Sequence, residues 1–281
     1  MRNKFKYISI FTTLILLVSV FVGSLFFPTD PDLGWHLKYG EYFFQNHSVL
    51  KENTFSSLMP DYKWNNSSWA TDLITYQTFD HFGFLGLSVL GALIIVLTFF
   101  FIGIASKLDL FEKSVIFPIL LYATLPVNQV SFRGQLLSLL FIVVMYWGLS
   151  KYSEVNKKYI LLLIPFFTLW SNIHGEFILG LALFALWVLV YLAKEVFLNY
   201  KKNLKSLFTN EKFLLAAFLG SIIASFINPF GIGIYSETIK HFGDPMQKSV
   251  VEWLSPDDFS FVWWHQLIAG MVLSIGLAMM G

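Results

Sequence analysis

The stretch Tyr7-Ile-Ser-Ile-Phe-Thr-Thr-Leu-Ile-Leu-Leu-Val-Ser-Val-Phe-Val-Gly-Ser-Leu-Phe-Phe27, continued by Pro28-Thr-Asp-Pro-Asp-Leu-Gly-Trp-His36, decides the fold class. Its first part carries no charge and is as long as a helix needs to be to cross a bilayer, about 20 residues. Arg2, Lys4 and Lys6 precede it. The run is too long for the apolar region of a cleavable signal and has no small-x-small cleavage site, so it is expected to stay as a signal-anchor helix. Its second part sets two carboxylates, Asp30 and Asp32, an indole and an imidazole where that helix leaves the lipid.

Composition widens this to the whole chain. Of 281 residues, 56% are hydrophobic, 19% aromatic and 13% charged, with a mean hydropathy of +0.64. Soluble domains carry about 25% charged residues. An all-α integral membrane protein is expected. A net charge of +1 with no long basic tract gives no sign of a nucleic-acid partner. The absence of cysteine excludes disulfides, thiolate nucleophiles and Cys-based metal sites.

Apolar runs predict eight transmembrane or partly inserted helices, near 7–27, 84–105, 114–126, 136–150, 159–171, 176–193, 213–228 and 262–281. Several are short and are expected to tilt or to insert partly around a cavity. With the N-terminus inside, Lys38, Lys51, Lys63, Arg133, Lys240 and Lys248 fall outside and the other 13 of the 19 Lys and Arg fall inside. Cytoplasmic loops are enriched in these residues, which supports that orientation. All six histidines and 13 of the 18 acidic residues then lie on or near the outer side. Polar chemistry is concentrated on one face, and the protein is expected to act there. The chain reads as one domain: a first helix to residue 27, a long outer loop over 28–83, and the remaining helices over 84–281. The last apolar run ends at Gly281 without the basic residues that usually follow a cytoplasmic exit, so further chain is expected beyond it.

The loop over 28–83 is too long to be structureless. Two interfacial helices are expected in it, from Leu33 to about Asn46 with Asp32 as N-cap, and from Ser68 to about His81. Turn signals, Met59-Pro-Asp-Tyr62 and Asn65-Asn-Ser-Ser68, lie between them.

Several residues stand out as chemistry. A carboxylate beside lipid is costly unless it is used, so Asp30 and Asp32 are candidate general bases. Capping gives Asp32 a structural alternative, and Asp30 is preferred. His36 lies one helical turn after Asp32, close enough to pair with it or to share a metal or phosphate. Arg133, the one arginine besides Arg2, suits a lipid phosphate; its plainer alternative is snorkelling to headgroups. Asn172, His174 and Glu176 either line a small cavity or form a polar turn. Glu252, Asp257 and Asp258 add carboxylates to the last outer loop. A divalent metal is compatible with these groups but not required by the sequence, which names no cofactor. P-loop, GxSxG, HExxH and dinucleotide patterns are absent.

Taken in order, Asp30-Pro-Asp-x-x-Trp-His36, Thr54-Phe-Ser, Trp64-x-x-x-x-Trp69, Arg133-Gly-Gln-Leu-Leu-Ser138, Trp170-Ser-Asn-Ile-His-Gly-Glu-Phe177, Asn228-Pro-Phe-Gly231 and Glu252-Trp-Leu-Ser-Pro-Asp257 resemble bacterial members of the GT-C glycosyltransferase superfamily, the protein O-mannosyltransferase-like and aminoarabinose-transferase-like group. The resemblance implies a cell-envelope enzyme that takes a sugar from a polyprenyl-phosphate-linked donor at the outer membrane face. It implies Asp30 or Asp32 as base for the acceptor hydroxyl, and Arg133 and His174 toward the donor phosphate. Ser67-Ser-Trp-Ala-Thr-Asp-Leu73 stands where that group has His-Glu-Trp-Leu; Asp72 takes the place of the acid and nothing takes that of the histidine. Two rivals remain open: a transporter or flippase for a lipid-linked substrate, and a non-catalytic membrane subunit. A transporter calls for ionisable groups near the midplane, whereas here they gather at helix ends.

Overall fold

A computed structural model describes residues 2–52, 54–55, 62–198 and 209–241. Glu252, Asp257, Asp258 and the apolar run 262–281 lie outside them. The described residues are helical apart from their connections, and their one β feature is an isolated antiparallel bridge between Glu52 and Lys63. The helices are α1 (Arg2–Gly23), α2 (Leu33–Asn46), α3 (Trp69–Ala105), α4 (Leu110–Ala123), the single turn α5 (Leu125–Asn128), α6 (Gly134–Ser150), α7 (Leu163–Ile173) after a 3-10 turn over Lys157–Leu162, α8 (Phe177–Leu198), α9 (Lys212–Ala224) and α10 (Gly233–His241).

Two of them, α3 and α8, are long and apolar enough to cross a membrane. Apolar helices over Ile10–Gly23, Gly134–Ser150 and Lys212–Ala224 are shorter. Large apolar side chains stay exposed along several of these helices, among them Phe11, Val18, Phe100, Leu189 and Ile223. Exposed apolar side chains along apolar helices fit contact with lipid.

The second interfacial helix and the second apolar run are one element. They meet in α3 at Gly83, whose φ of 61° and ψ of −154° are open to glycine and strained for other residues. The chain breaks direction there without a loop. The third run starts earlier than its hydrophobicity suggests, because Asp109, just before Leu110, and Glu112 in the first turn form a reciprocal capping box.

Two cores flank α6. Val20, Ile95, Phe99, Phe117 and Leu136 join α1, α3, α4 and α6. Met145, Phe167, Trp170, Phe184 and Leu214 join α6, α7, α8 and α9. The connections sort onto two ends of the bundle. At one end Ser88 Oγ donates to Phe26 O at 2.7 Å, Asn128 Nδ2 to Ser24 Oγ at 3.1 Å, and Asn172 Nδ2 to Ile227 O at 2.8 Å. At the other, Lys107 reaches Glu154 at 3.5 Å and Tyr152 Oη donates to Glu211 at 2.6 Å.

Candidate functional site

The site begins where α2 crosses α3. A Cβ on Gly40 would lie 2.3 Å from Tyr76 Cβ and 2.6 Å from the Asp72 carbonyl oxygen. Glycine alone allows this approach. Phe44 stacks on Tyr76 and Phe43 packs against Trp69 around the crossing. One turn before Gly40, His36 is thereby brought against Asp72: Nδ1 lies 2.6 Å from Oδ1. Asn66 Nδ2 donates to the other carboxylate oxygen at 2.6 Å, while Asn66 Oδ1 accepts from Ser68 N and orders the start of α3. Asp72 is buried and takes a donor on each oxygen. The imidazole proton on Nδ1 faces a carboxylate, which leaves Nε2 to take up or release a proton. Burial works against the charged imidazolium, but the Asp72 hydrogen bond and charge, helped by Asp30 and Asp32, outweigh it and raise His36 above its ordinary value.

Asp30 and Asp32 exchange the roles expected of them. Asp32 occupies the N-cap position of α2 without a side-chain capping bond, so its exposed carboxylate is left to the solvent side. Asp30 does the local work: its Oδ1 accepts from Asp32 N at 3.0 Å and tightens the turn. Its Oδ2 is buried and takes no hydrogen bond among the described residues. Arg133 Nε lies 3.3 Å from that oxygen, but its N–H points to Gln135 Oε1 at 2.8 Å. The Asp30–Arg133 contact is therefore an ion pair without a hydrogen bond, and both side chains are buried.

His174 ends α7. A Cβ on Gly134 would lie 2.4 Å from its ring, so the glycine of Arg133-Gly-Gln135 is the seat of this imidazole. Trp170 Nε1 donates to Ser138 Oγ at 3.0 Å, and that hydroxyl also lies within hydrogen-bond distance of His174 Nδ1, at 3.2 Å. Glu176 Oε2 lies 3.5 Å from the same nitrogen. Burial opposes the charged form of Glu176, but His174, Ser138 and Arg133 overcome it and lower its carboxyl below the ordinary range.

These groups act on one another. Asp30 and Asp32 bear on His36, His174 interacts electrostatically with Asp72, and Arg133 with Glu176. Six of the residues expected to share a site, with Asp32 at its edge, thus form one charged cluster drawn from four separate stretches. Asn172 stands apart. It accepts from Trp69 Nε1 at 2.9 Å and donates to Thr168 O and Ile227 O, so its amide is spent joining α3, α7 and the end of α9. Glu252 lies outside the described residues.

A cleft of about 340 Å³ opens beside the cluster, lined by Asp32, Trp35, His36, Tyr62 and Trp64. Tyr62 donates to Glu237 of α10, and burial followed by that carboxylate pushes its phenol up to about 12. Asn66, Ser138, Tyr62 and Glu237 were not expected in the site. Asn66 sits in a stretch that reads as a turn, Ser138 sits among leucines that read as a helix face, and Tyr62 with Glu237 are joined only by the fold. Among the described residues, no group of three or more His, Asp or Glu side chains is arranged to hold a metal ion. Scans against protein-family models, curated proteins and solved structures return no match.

Proposed function

We propose that this chain is a polytopic membrane glycosyltransferase of GT-C type, working at the extracytoplasmic face with its N-terminus inside. The donor is a polyprenyl-phosphate-linked sugar. The helices α1, α4, α6, α7, α8, α9 and the part of α3 after Gly83 are its described spans, the short ones tilted.

The observation that carries this proposal is an acid–imidazole cluster beside an aromatic cleft. Indole and phenol rings offer apolar faces to the C–H faces of a sugar and polar edges to its hydroxyls. His36, steadied by Asp72 and lining that cleft, is a better base than Asp30, which is engaged with Arg133 and a backbone N–H. In the step proposed, His36 Nε2 takes the proton of the acceptor hydroxyl. The acceptor oxygen bonds to the anomeric carbon as its bond to the phosphate oxygen breaks. The electron pair leaves with the polyprenyl phosphate, and the guanidinium charge of Arg133 with an N–H of His174 stabilises that charge. Asp32, one helical turn from His36 in the lining of the same cleft, orients the acceptor.

The test is transfer by the full chain in lipid nanodiscs with polyprenyl-phosphate sugars, followed by mass gain of the acceptor. His36→Asn is expected to lower the rate by about 10²–10⁴-fold, the usual contribution of a positioned base. Full activity in His36→Asn, and in His36→Asn with Asp32→Asn, removes the proposed base. Movement of the intact lipid-linked sugar across the bilayer without transfer would replace the enzyme by a flippase.

A further inference from the structure

Trp35 is a partition as well as a wall. On one side of its ring lies the cleft with Asp32, His36, Tyr62 and Trp64. On the other lies a second open concavity of about 290 Å³, lined by Pro31, Gly34, Trp35, Lys38 and Phe55. The helix explains the division. Positions 34, 35 and 38 share one face of α2, with Pro31 just before it, and 35 and 36 share the next, with Asp32 at its N-cap, so Trp35 borders both. The ring is held upright between Phe55, 5.6 Å away, and Trp64, 6.0 Å away and perpendicular, yet 40% of the residue stays exposed.

Resting on the glycosyl-transfer reading, we propose that the acceptor is a glycan of at least two sugar units. One unit lies beside His36, and the next lies across Trp35 between Gly34, Lys38 and Phe55. The chemistry of the lining favours this occupant. Each concavity is near the lower bound of small-ligand pockets, about 300 Å³, which suits one hexose and not a lipid chain. The first sets Trp35 and Trp64 among Asp32, His36 and Tyr62, and the second sets Lys38 with Trp35 and Phe55, as a sugar pairs C–H faces with hydroxyl edges. The groove between α3, α6 and α8 shows the contrast: about 510 Å³, lined by aliphatic residues such as Ile102, Ile142, Leu183 and Leu186. That is a lining for hydrocarbon. Gly34 keeps the second concavity open, since a Cβ there would meet nothing within 4 Å.

This last fact supplies the test. Mannose, glucose, galactose and N-acetylglucosamine are titrated as methyl glycosides and as homodisaccharides onto the full chain in nanodiscs, with tryptophan fluorescence as readout. For at least one sugar the disaccharide is expected to bind about tenfold tighter than its methyl glycoside, a modest stacking gain. Gly34→Leu fills the second concavity with a good helix former. It is expected to keep the unfolding temperature and to return the disaccharide to the affinity of the methyl glycoside; Phe55→Ala is expected to reduce the gain in the same direction. Methyl glycosides that bind as well as every disaccharide overturn the second subsite and leave the first reading standing. A disaccharide gain untouched by Gly34→Leu also overturns it. If no sugar binds and Trp35→Ala changes only partitioning into liposomes, both proposals fall and Trp35 is an interfacial anchor.

Discussion

Asp30 and Glu211 are buried carboxylates at opposite ends of one bundle, and their surroundings differ. Glu211 receives Tyr152 on one oxygen at 2.6 Å, and Lys157 at 2.5 Å with Tyr191 at 3.4 Å on the other. Those partners come from the end of α6, the 3-10 turn and α8, and Glu211 itself precedes α9, so one side chain ties four elements. Asp30 has one hydrogen bond on Oδ1 and an ion pair without a hydrogen bond on Oδ2. Buried polar groups are ordinarily satisfied, and an unmet acceptor costs about 1–3 kcal/mol. The two ends therefore spend the same residue type differently. One saturates its acid to hold helices together; the other leaves one oxygen of its acid without a hydrogen bond, in a cluster beside an open cleft.

If this contrast is right, damage at the two ends separates stability from activity. The largest structural effect is expected at Gly40. A Cβ there meets backbone as well as side chain, so Gly40→Ala forces α2 away from α3. Such overpacking costs about 1–3 kcal/mol, and it also parts His36 from Asp72. A lower unfolding temperature together with loss of transfer is expected; loss of stability with normal transfer would uncouple the crossing from the site. Glu211→Ala gives the complementary result. It leaves the buried Tyr152 hydroxyl without its acceptor, at about 1–3 kcal/mol, while turnover per folded molecule stays at the parent value. A fall in that turnover would make the contrast between the ends untenable.

Much of the fold was legible because hydrophobic length and turn chemistry are local. Helices near Leu33–Asn46 and Ser68 onward, and runs near 136–150 and 176–193, follow from periodicity and from Asp, Asn, Ser and Pro at their borders. The break at Gly83 was hidden, since one glycine can end a helix, bend it or merely sit in it. The site was legible in membership but not in pairing. His36 was matched to Asp32 by helical spacing, whereas its partner is Asp72, 36 residues on, delivered by the close approach at Gly40. The signal was the glycine itself, set among apolar neighbours inside a helix. Arg133 was matched to a lipid phosphate, yet it is buried against Asp30 because α6 starts where the chain leaves α1. Sequence distance carries no record of that neighbourhood.

The pH dependence sharpens the same comparison at the level of one pair. His36 is raised above its ordinary 6.5 by its acidic neighbours. Its contribution to stability is fully present below 6.5 and is lost as pH rises through the raised folded value. The gap in unfolding temperature between the parent and His36→Gln is thus expected to be widest in mild acid and to close in alkali. Transfer runs the other way, because a base must be neutral to accept a proton: the rate climbs through the same raised value. A rate that falls across that range, or a gap that widens with pH, contradicts the role given to His36.

The smallest effect expected is the most specific. Asp109 and Asp32 both stand at helix N-caps. Asp109 accepts from Glu112 N at 2.8 Å while Glu112 Oε2 accepts from Asp109 N at 2.7 Å. Asp32 makes no capping bond. Asp109→Ala is expected to lose about 1 kcal/mol, the ordinary worth of a cap, without touching transfer. Asp32→Ala is expected to change stability by less than about 0.5 kcal/mol, the range of an uninvolved surface site, and to lower transfer. A carboxylate that stands at a cap without capping contributes nothing there that alanine would lose. Any activity lost with it belongs to the cleft, and equal stability losses in the two variants would return Asp32 to the fold.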